Sequence, residues 1–227
     1  MKTLGIIGAM DIEVQLLKDK ICNLEEVNYK SFKFYKGQYK GIDVVITTSG
    51  VGKVNAASCT QMLIDKFDIT HLINTGIAGS LNKCVKVCDV VISDNVTYHD
   101  VNVEQMRSLF PFKECFKADD ELIDLAVRAC KTSPGQFNYH IGRIVTGERF
   151  ISSIELKEAI AEKYSPLCVD MESGAIGHVA YLNSIPFVII RSISDNADDD
   201  ASITYDEFEQ IASYNSANIV LKMINLV

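Results

Sequence analysis

The sequence predicts a single α/β domain built on a mixed, mostly parallel sheet with helices on both faces. Three observations lead to this prediction. Short apolar runs alternate with segments of helical periodicity, which is typical of strand–helix units. Aromatic and polar residues between positions 25 and 43 add antiparallel hairpins. The 227 residues are 48% hydrophobic and contain no linker, repeat or low-complexity stretch, so residues 1–227 are expected to form one domain.

Six short apolar runs are the predicted strands whose ends matter most. They cover residues 4–8, 44–46, 72–73, 141–145, 166–169 and 187–193. Each run ends in acids or glycines, and ligands of open α/β sheets bind outside the carboxyl ends of the strands. If the runs lie side by side, Glu13, Glu172 and Asp195 converge there. Glu172 taken alone is better explained as a charge that stabilises the first turn of the following helix, and the recurrence of acids at the other strand ends favours the functional interpretation.

The remaining elements follow from local patterns. Helical periodicity predicts helices over residues 54–67, 119–130 and 152–163, the second capped by Asp119 or Asp120. Asp11 is a plausible N-cap of the first helix. A capping box at residues 204–207 is expected to open a long C-terminal helix.

Hairpin turns, one further strand and an irregular segment complete the predicted order. Turns are expected near residues 36–37 and 40–41, where lysine precedes glycine. Residues 85–92 read as a strand, and residues 101–118 as an irregular connection.

Charge and cysteine content exclude several classes of protein. The net charge of −8 argues against a nucleic-acid partner or an anionic membrane surface. No apolar run reaches the length of a membrane span, and no leader is visible before the first strand, so we expect a cytoplasmic protein. Seven cysteines without a C-x-x-C pair indicate reduced thiols.

The familiar motifs for binding cofactors and metals are incomplete or absent in this sequence, so neither a cofactor nor a metal is expected. Residues 50–55 begin like a dinucleotide fingerprint but lack the third glycine, and Val54 stands where a P-loop needs a hydroxyl. No histidine cluster or serine-nucleophile motif occurs. His99, beside Asp100 at a strand end, either lines the site or is structural.

Five motifs, taken in order, carry a family resemblance. They occupy residues 5–10, 49–54, 74–79, 169–172 and 191–195. Together they resemble the bacterial 5′-methylthioadenosine/S-adenosylhomocysteine nucleosidases of the nucleoside phosphorylase superfamily, over nearly the whole chain. The resemblance implies a three-layer α/β/α sandwich around a central mixed sheet, assembled as a homodimer. It also implies hydrolysis of the bond between adenine N9 and ribose C1′ without metal or cofactor.

The resemblance further implies roles for individual residues. Glu13 resembles the residue that activates water, and Glu172 the one that binds the ribose hydroxyls, with Met171 beside the sugar. Asp195 resembles the general acid that protonates adenine N7, oriented by Ser194.

The adenine shelf and the pocket wall are implied in the same way. Phe150 resembles the residue that stacks on adenine, and Ile151 the one whose backbone bonds to it. The other matching positions of the pocket are Val51, Ala78, Gly79, Arg191 and Phe208.

The residue types fit this chemistry independently of the resemblance. Departure of a nitrogen base leaves an oxocarbenium-like sugar, whose charge nearby carboxylates stabilise. Adenine leaves poorly until its ring is protonated, which needs an acid of raised pKa. One carboxyl as acid and one as water base is the logic of inverting glycosidases.

Two other functions stay open at this point. A purine nucleoside phosphorylase would use phosphate, but Asn74 stands where bacterial phosphorylases have an arginine, and Glu13 would repel the anion. A non-catalytic adenosine-binding protein would not need all three acids.

The chain departs from its relatives between residues 101 and 115. In the family, a glycine- and tyrosine-rich loop from the partner subunit helps to cover the 5′-alkylthio group, whereas this segment is shorter and contains no glycine. We therefore expect methylthioadenosine and 5′-deoxyadenosine to be better substrates than S-adenosylhomocysteine. Alternatively, Met106 and Phe110 replace the missing contacts.

Overall fold

The computed structural model describes residues 3–133 and 137–227, which form ten strands and seven helices. The strands are β1 (Thr3–Gly8), β2 (Cys22–Tyr29), β3 (Phe32–Tyr39), β4 (Ile42–Thr48), β5 (His71–Ser80), β6 (Val90–Tyr98), β7 (Phe116–Lys117), β8 (Tyr139–Thr146), β9 (Cys168–Asp170) and β10 (Phe187–Asp195). The helices are α1 (Asp11–Lys20), α2 (Lys53–Phe67), α3 (Val103–Ser108), α4 (Asp120–Lys131), α5 (Ile154–Tyr164), α6 (Ser173–Leu182) and α7 (Ala201–Ile224).

All ten strands belong to one mixed sheet, as the sequence predicts. β1 lies between β4 and β5 and is parallel to both. Beyond β4, the antiparallel strands β3 and β2 form the sheet edge. On the other side, β5 pairs with both β10 and β9, and the pairings β10–β6, β6–β8 and β8–β9 close these five strands into a ring. The ring was not predicted, because it depends on pairings between strands far apart in the chain.

Helices cover both faces of the sheet. Successive strand residues point to opposite faces, and β1 shows this directly: a side chain at Gly5 would meet Leu63 of α2, whereas one at Gly8 would meet Val14 of α1. Helix α1 packs with α7, which also packs with α4, while α2 packs with α6. The predicted layers of helix, sheet and helix are therefore confirmed.

Most predicted helices are found within two residues of their expected bounds. Asp119 is the N-cap of α4, and its carboxylate accepts the N–H groups of Glu121 and Leu122. Ser153 caps α5 by accepting the N–H of Leu156 at 3.3 Å.

Two predictions of helix starts are wrong. Asp11 is the first residue of α1 rather than its N-cap. The N-cap is Met10, and the side chain of Glu13 accepts the backbone N–H of Met10. The residues 204–207 do not open the last helix. It begins at Ala201, and the Thr204 hydroxyl donates to the carbonyl of Asp200 within the first turn.

The predicted turn at residues 36–37 is also wrong, whereas the turn at 40–41 is confirmed. Gly37 lies inside β3, where a side chain would collide with Ile21 and come within 2.8 Å of the Cys22 carbonyl oxygen. This glycine marks a close approach of backbones rather than a turn.

Residues 85–118 also differ from their prediction. The expected strand over 85–92 begins later and runs longer, as β6, because residues 81–89 form turns. The segment expected to be irregular contains the short helix α3 and the strand β7.

Candidate active site

A cavity of about 370 Å³ opens where β1, β5, β8, β9 and β10 end. All but two of the predicted site residues line it. Those that do are Glu13, Val51, Ala78, Gly79, Phe150, Ile151, Met171, Glu172, Ser194 and Asp195. Among the described residues, Arg191 and Phe208 do not line the cavity: Arg191 is fully buried behind it, and Phe208 lies half-buried in α7.

Glu13 is held by three backbone N–H groups. Its Oε2 accepts from Ala9 at 2.6 Å and from Met10 at 2.9 Å, and its Oε1 accepts from Ile77 at 3.0 Å. The side chain is buried, and burial raises its pKa although Arg191 and these N–H groups act in the opposite direction. A buried carboxyl with a raised pKa is suited to take a proton from a nearby water.

Glu172 follows β9 and precedes the first residue of α6. Its Oε1 accepts the N–H of Gly52 at 2.9 Å, and its Oε2 lies 3.5 Å from Nη2 of Arg191. The side chain does not cap its own helix. Burial raises the pKa of Glu172 to about 7, partly offset by the guanidinium of Arg191.

Arg191 is the fixed cation behind these carboxylates. Its Nε donates to Asp170 at 2.8 Å, its Nη2 donates to the Oδ1 of Asn74 at 2.9 Å, and its Nη1 lies 3.8 Å from Glu13. A side chain at Gly76 would collide with Nη1. The glycine therefore allows the guanidinium to approach the acids closely.

Asp170 anchors this cation to the strands. It accepts bonds from the hydroxyls of Thr146, at 2.5 Å, and of Ser173, in addition to the guanidinium of Arg191. A buried charged pair needs such additional partners to offset the cost of leaving water.

Asp195 is the last residue of β10, four residues after Arg191 in the sequence. The hydroxyl of Ser194 donates to its Oδ2 at 2.8 Å, and the N–H of Ala197 donates to its Oδ1 at 2.8 Å. The pairing of β10 with β5 shifts register between Ile193 and Asp195, which is a β-bulge at Ser194. Because of this bulge, two consecutive residues both reach the cavity.

The electrostatic surroundings of Asp195 favour its protonated form. Burial raises its pKa, and the hydroxyl and N–H that bind it lower the pKa by less. A raised pKa brings this carboxyl group closer to the proton donor that base departure requires.

One wall of the cavity is apolar and partly aromatic. Phe150 packs edge-on against Tyr205 of α7, with ring centroids 5.8 Å apart. The Tyr205 hydroxyl bonds to Glu209 at 2.8 Å and contacts the sulfur of Met10 at 3.6 Å. Ile151 is buried beside this pair. A flat heterocycle fits such a wall.

Sequence reasoning missed several residues that contribute to the site. The cavity is also lined by Ala9, Met10, Ile77, Arg149, Val169, Asp170, Ser202, Tyr205 and Asp206. Asp170 and Met10 lie inside motifs that the sequence singled out, so their positions were a usable signal. No sequence signal pointed to Ser202 and Tyr205, because the last helix was predicted to open at residues 204–207, whereas it begins at Ala201.

His99 does not line the cavity in the part of the chain that the structure describes. Its ring occupies the space beside Gly147, where any side chain would collide with it. No group of three or more His, Cys, Asp or Glu among the described residues is arranged to hold a metal ion. No helix in the described ranges is long and apolar enough to cross a membrane.

The arrangement brings an acid, two further carboxyl groups and an apolar wall to one cavity. A planar base against the wall, a proton from Asp195 and water held near Glu13 would satisfy the needs of glycosidic bond cleavage. Glu172 would lie beside the positive charge that develops on the sugar.

Comparisons with known proteins agree with this geometry. Residues 3–225 match the family model described as the phosphorylase superfamily. The 5′-methylthioadenosine/S-adenosylhomocysteine nucleosidase of Halalkalibacterium halodurans is 43% identical over 231 residues, covering 99% of this chain and 98% of the relative.

Two solved structures are also closely similar. The nucleosidase of the same name from Neisseria meningitidis, in complex with methylthio-immucillin-A, has a TM-score of 0.95 and 38% identity, covering 100% of both chains. The one from Colwellia psychrerythraea, in complex with adenine, has a TM-score of 0.94 and 34% identity, covering 99% of this chain and 95% of that one.

Proposed function

The chain belongs to the phosphorylase superfamily and, within it, to the 5′-methylthioadenosine/S-adenosylhomocysteine nucleosidases, and on this premise we propose its reaction. The protein hydrolyses the N-glycosidic bond of methylthioadenosine and S-adenosylhomocysteine, and releases adenine and the corresponding thioribose. The observation that carries this proposal is the meeting of Glu13, Glu172 and Asp195 in one cavity beside an apolar wall. 5′-Deoxyadenosine fits the same chemistry, because the reacting bond is unchanged.

Asp195 is the proposed general acid. Adenine is stacked on Phe150 and bonded to the backbone of Ile151, so that N7 faces the carboxyl group. The hydroxyl of Ser194 holds that group in position at 2.8 Å. Protonation of N7 draws electrons from the bond to C1′ and turns adenine into a neutral leaving group.

Glu13 and Glu172 act on the sugar side. Glu172 accepts bonds from the ribose hydroxyls with Met171 beside the ring, and above its raised pKa the charge of its carboxylate stabilises the oxocarbenium-like transition state. Glu13 takes the proton of the attacking water, which adds to C1′ from the face opposite to adenine. The methionine salvage pathway consumes products of this class.

The charges of the cavity support hydrolysis over phosphorolysis. Five acids line it, of which Glu13, Glu172 and Asp170 lie near Arg191. Arg191 is already paired with these acids, and Arg149, the arginine that lines the cavity among the described residues, is exposed to solvent, so little fixed positive charge remains for a phosphate dianion. Asn74 binds the guanidinium of Arg191 rather than facing the cavity.

The test is adenine release from methylthioadenosine in buffer without phosphate. Hydrolysis predicts full release of adenine without phosphate and no stimulation when phosphate is added. A strict phosphate requirement with ribose 1-phosphate as product would identify a phosphorylase. Tight binding without release of adenine would identify an adenosine-binding protein.

Assembly and location complete the proposal. We expect a homodimer, because Leu109, Phe110 and Phe112 form an exposed apolar surface, with Phe110 exposed by 72%. A monomer in sedimentation at micromolar concentration would contradict this. The seven cysteines, all in the described residues, carry free thiols, which fits a cytoplasmic protein.

A further inference from the structure

Two loops form neighbouring walls of the cavity and hold different parts of the proposed substrate. Residues 49–53 supply the N–H of Gly52, which binds the carboxylate of Glu172 at 2.9 Å. Residues 147–151 supply Phe150 and Ile151, the proposed nucleobase shelf. The relative position of these loops therefore sets the distance between the ribose end of the pocket and the base end.

Three residues just outside the cavity tie the loops together. The backbone N–H of Lys53 donates to the Oε1 of Glu148 at 2.8 Å. The ammonium of Lys53 donates to both oxygens of Asp100, at 2.7 and 2.8 Å. The backbone N–H of Glu148 donates to Oδ2 of Asp100 at 2.9 Å. Each of the three residues is thus bonded to both of the others.

The surroundings of these bonds favour a single geometry. The side chains of Lys53 and Asp100 are only 20% and 28% exposed, and the ammonium lies 5.4 Å from the centroid of the Tyr98 ring. Burial alone would raise the pKa of Asp100, but Lys53 and the N–H of Glu148 lower it, so the carboxylate stays charged.

Gly52 brings this group close to the reacting end of the pocket. Its φ is +98°, and a side chain there would lie 2.8 Å from the Oε2 of Glu148. Consecutive N–H groups, those of Gly52 and Lys53, thus bind Glu172 and Glu148 respectively. A shift of either loop would move the carboxylate of Glu172 relative to the shelf.

We propose that Lys53, Asp100 and Glu148 form a positioning triangle that fixes the spacing between the ribose-binding carboxylate and the nucleobase shelf. This inference rests on the proposed function of the pocket. None of the three residues lines the cavity in the described parts of the chain, so they act through Gly52 and the shelf. Their loss should weaken ligands that span both ends and spare ligands that contact only the shelf.

The test compares two ligands on wild type and Lys53→Met. Methionine keeps an apolar stem beside Tyr98 but cannot bind Asp100. The probes are adenine, which contacts only the shelf, and 5′-methylthioformycin, whose carbon–carbon bond between base and sugar cannot be hydrolysed. We expect the dissociation constant of the spanning ligand to rise about 10-fold or more, since an ångström of misplacement is costly. That of adenine should change less than about twofold.

The matched control is Lys117→Met, which removes an exposed lysine–aspartate pair at 2.9 Å whose two residues do not line the cavity. It should leave both dissociation constants unchanged. Lys53→Arg keeps the charge and should restore much of the lost affinity for the spanning ligand.

A second variant keeps the test independent of folding. Asp100→Asn keeps an oxygen for the N–H of Glu148 but loses the charge that binds Lys53, so a smaller selective loss is expected. Equal weakening of adenine binding and of spanning-ligand binding, or no weakening of either, would overturn the positioning role of the triangle. The proposed hydrolysis fails separately, if the wild type binds the spanning ligand but releases no adenine from methylthioadenosine.

Discussion

The cavity has a buried half and an exposed half, and the two are built differently. In the buried half, Glu13 and Glu172 are held by backbone N–H groups and by Arg191, which is fully enclosed. In the exposed half, Val51 and Phe150 remain 47% and 44% accessible. The buried groups are held both by strand residues and by hydrogen bonds from loops, whereas the exposed ones are held by loops and side-chain contacts.

This difference separates chemistry from selectivity. The charged groups next to the strand ends are each held by several buried bonds, so they suit the fixed demands of bond cleavage. Apolar groups on the rim outside the nucleobase shelf can change with little cost, so they suit the choice of the 5′ substituent. Changes in the buried half should therefore abolish activity or stability, and changes in the rim outside that shelf should reorder substrates.

The largest effect is expected from Arg191→Met. The change leaves Asp170, Glu172 and Glu13 buried without their cation, and breaking a buried pair in this way costs about 3–5 kcal/mol of unfolding free energy. Urea denaturation measures it. The control is Arg128→Met, which removes an exposed pair with Asp124 and should cost at most about 1 kcal/mol. Equal losses of unfolding free energy in the two variants would contradict the distinction between the buried and the exposed half.

Asp195→Asn is expected to give the next largest effect. Asparagine can still bond to N7 but supplies no proton, so kcat for methylthioadenosine should fall by about 10²-fold or more. Asp206→Asn, at an exposed acid that also lines the cavity, is the control and should keep most of its turnover. Near-wild-type turnover of Asp195→Asn would place the proton donor elsewhere.

The sequence could predict most of the buried half and little of the rim. Glu13, Glu172 and Asp195 were found because apolar runs must end at one sheet edge, which is a property of the pattern itself. The pairing of Asp170 with Arg191 was not found, since it joins β9 to β10 and depends on the closed ring.

Local misreadings explain the other differences. Gly37 was taken for a turn because sequence does not distinguish a turn from a close approach of Ile21. Tyr205 was missed because a capping pattern at residues 204–207 concealed that the helix begins at Ala201. Both errors arise from contacts that only the folded chain brings together.

The pH dependence of stability gives a third, smaller effect. An unfolded glutamate ionises near its ordinary pKa of 4.5, whereas burial keeps Glu172 protonated up to about pH 7. The stabilisation linked to this proton is complete below about pH 4.5 and is lost as pH rises to about 7.

The Glu172→Gln variant should lack this loss of stability with rising pH. Between pH 5 and 7.5, the unfolding free energy of the wild type should fall by roughly 1 to 3 kcal/mol more than that of the variant. The exposed Glu158→Gln should follow the wild type. Parallel curves for Glu172→Gln and the wild type would show that this carboxyl is not protonated in the folded state.

The last of these comparisons concerns the choice of substrate at the rim. The shortened segment before Cys115 carries Met106, Phe110 and Phe112. It is predicted to cover the 5′ group of the substrate that is bound in the partner subunit. We expect kcat/KM for methylthioadenosine and 5′-deoxyadenosine to exceed that for S-adenosylhomocysteine by ~10–200-fold, because an apolar rim disfavours a charged tail. Equal or better efficiency on S-adenosylhomocysteine would contradict this expectation.

The configuration of the released sugar tests the central claim most directly, namely that buried carboxylates direct water to C1′ opposite to adenine. Methylthioadenosine is hydrolysed in phosphate buffer, and proton NMR is recorded before the anomers equilibrate. Because the substrate is a β-nucleoside, water from the Glu13 side predicts α-methylthioribose as the first product. First formation of the β-anomer, or of a sugar 1-phosphate, would contradict the account.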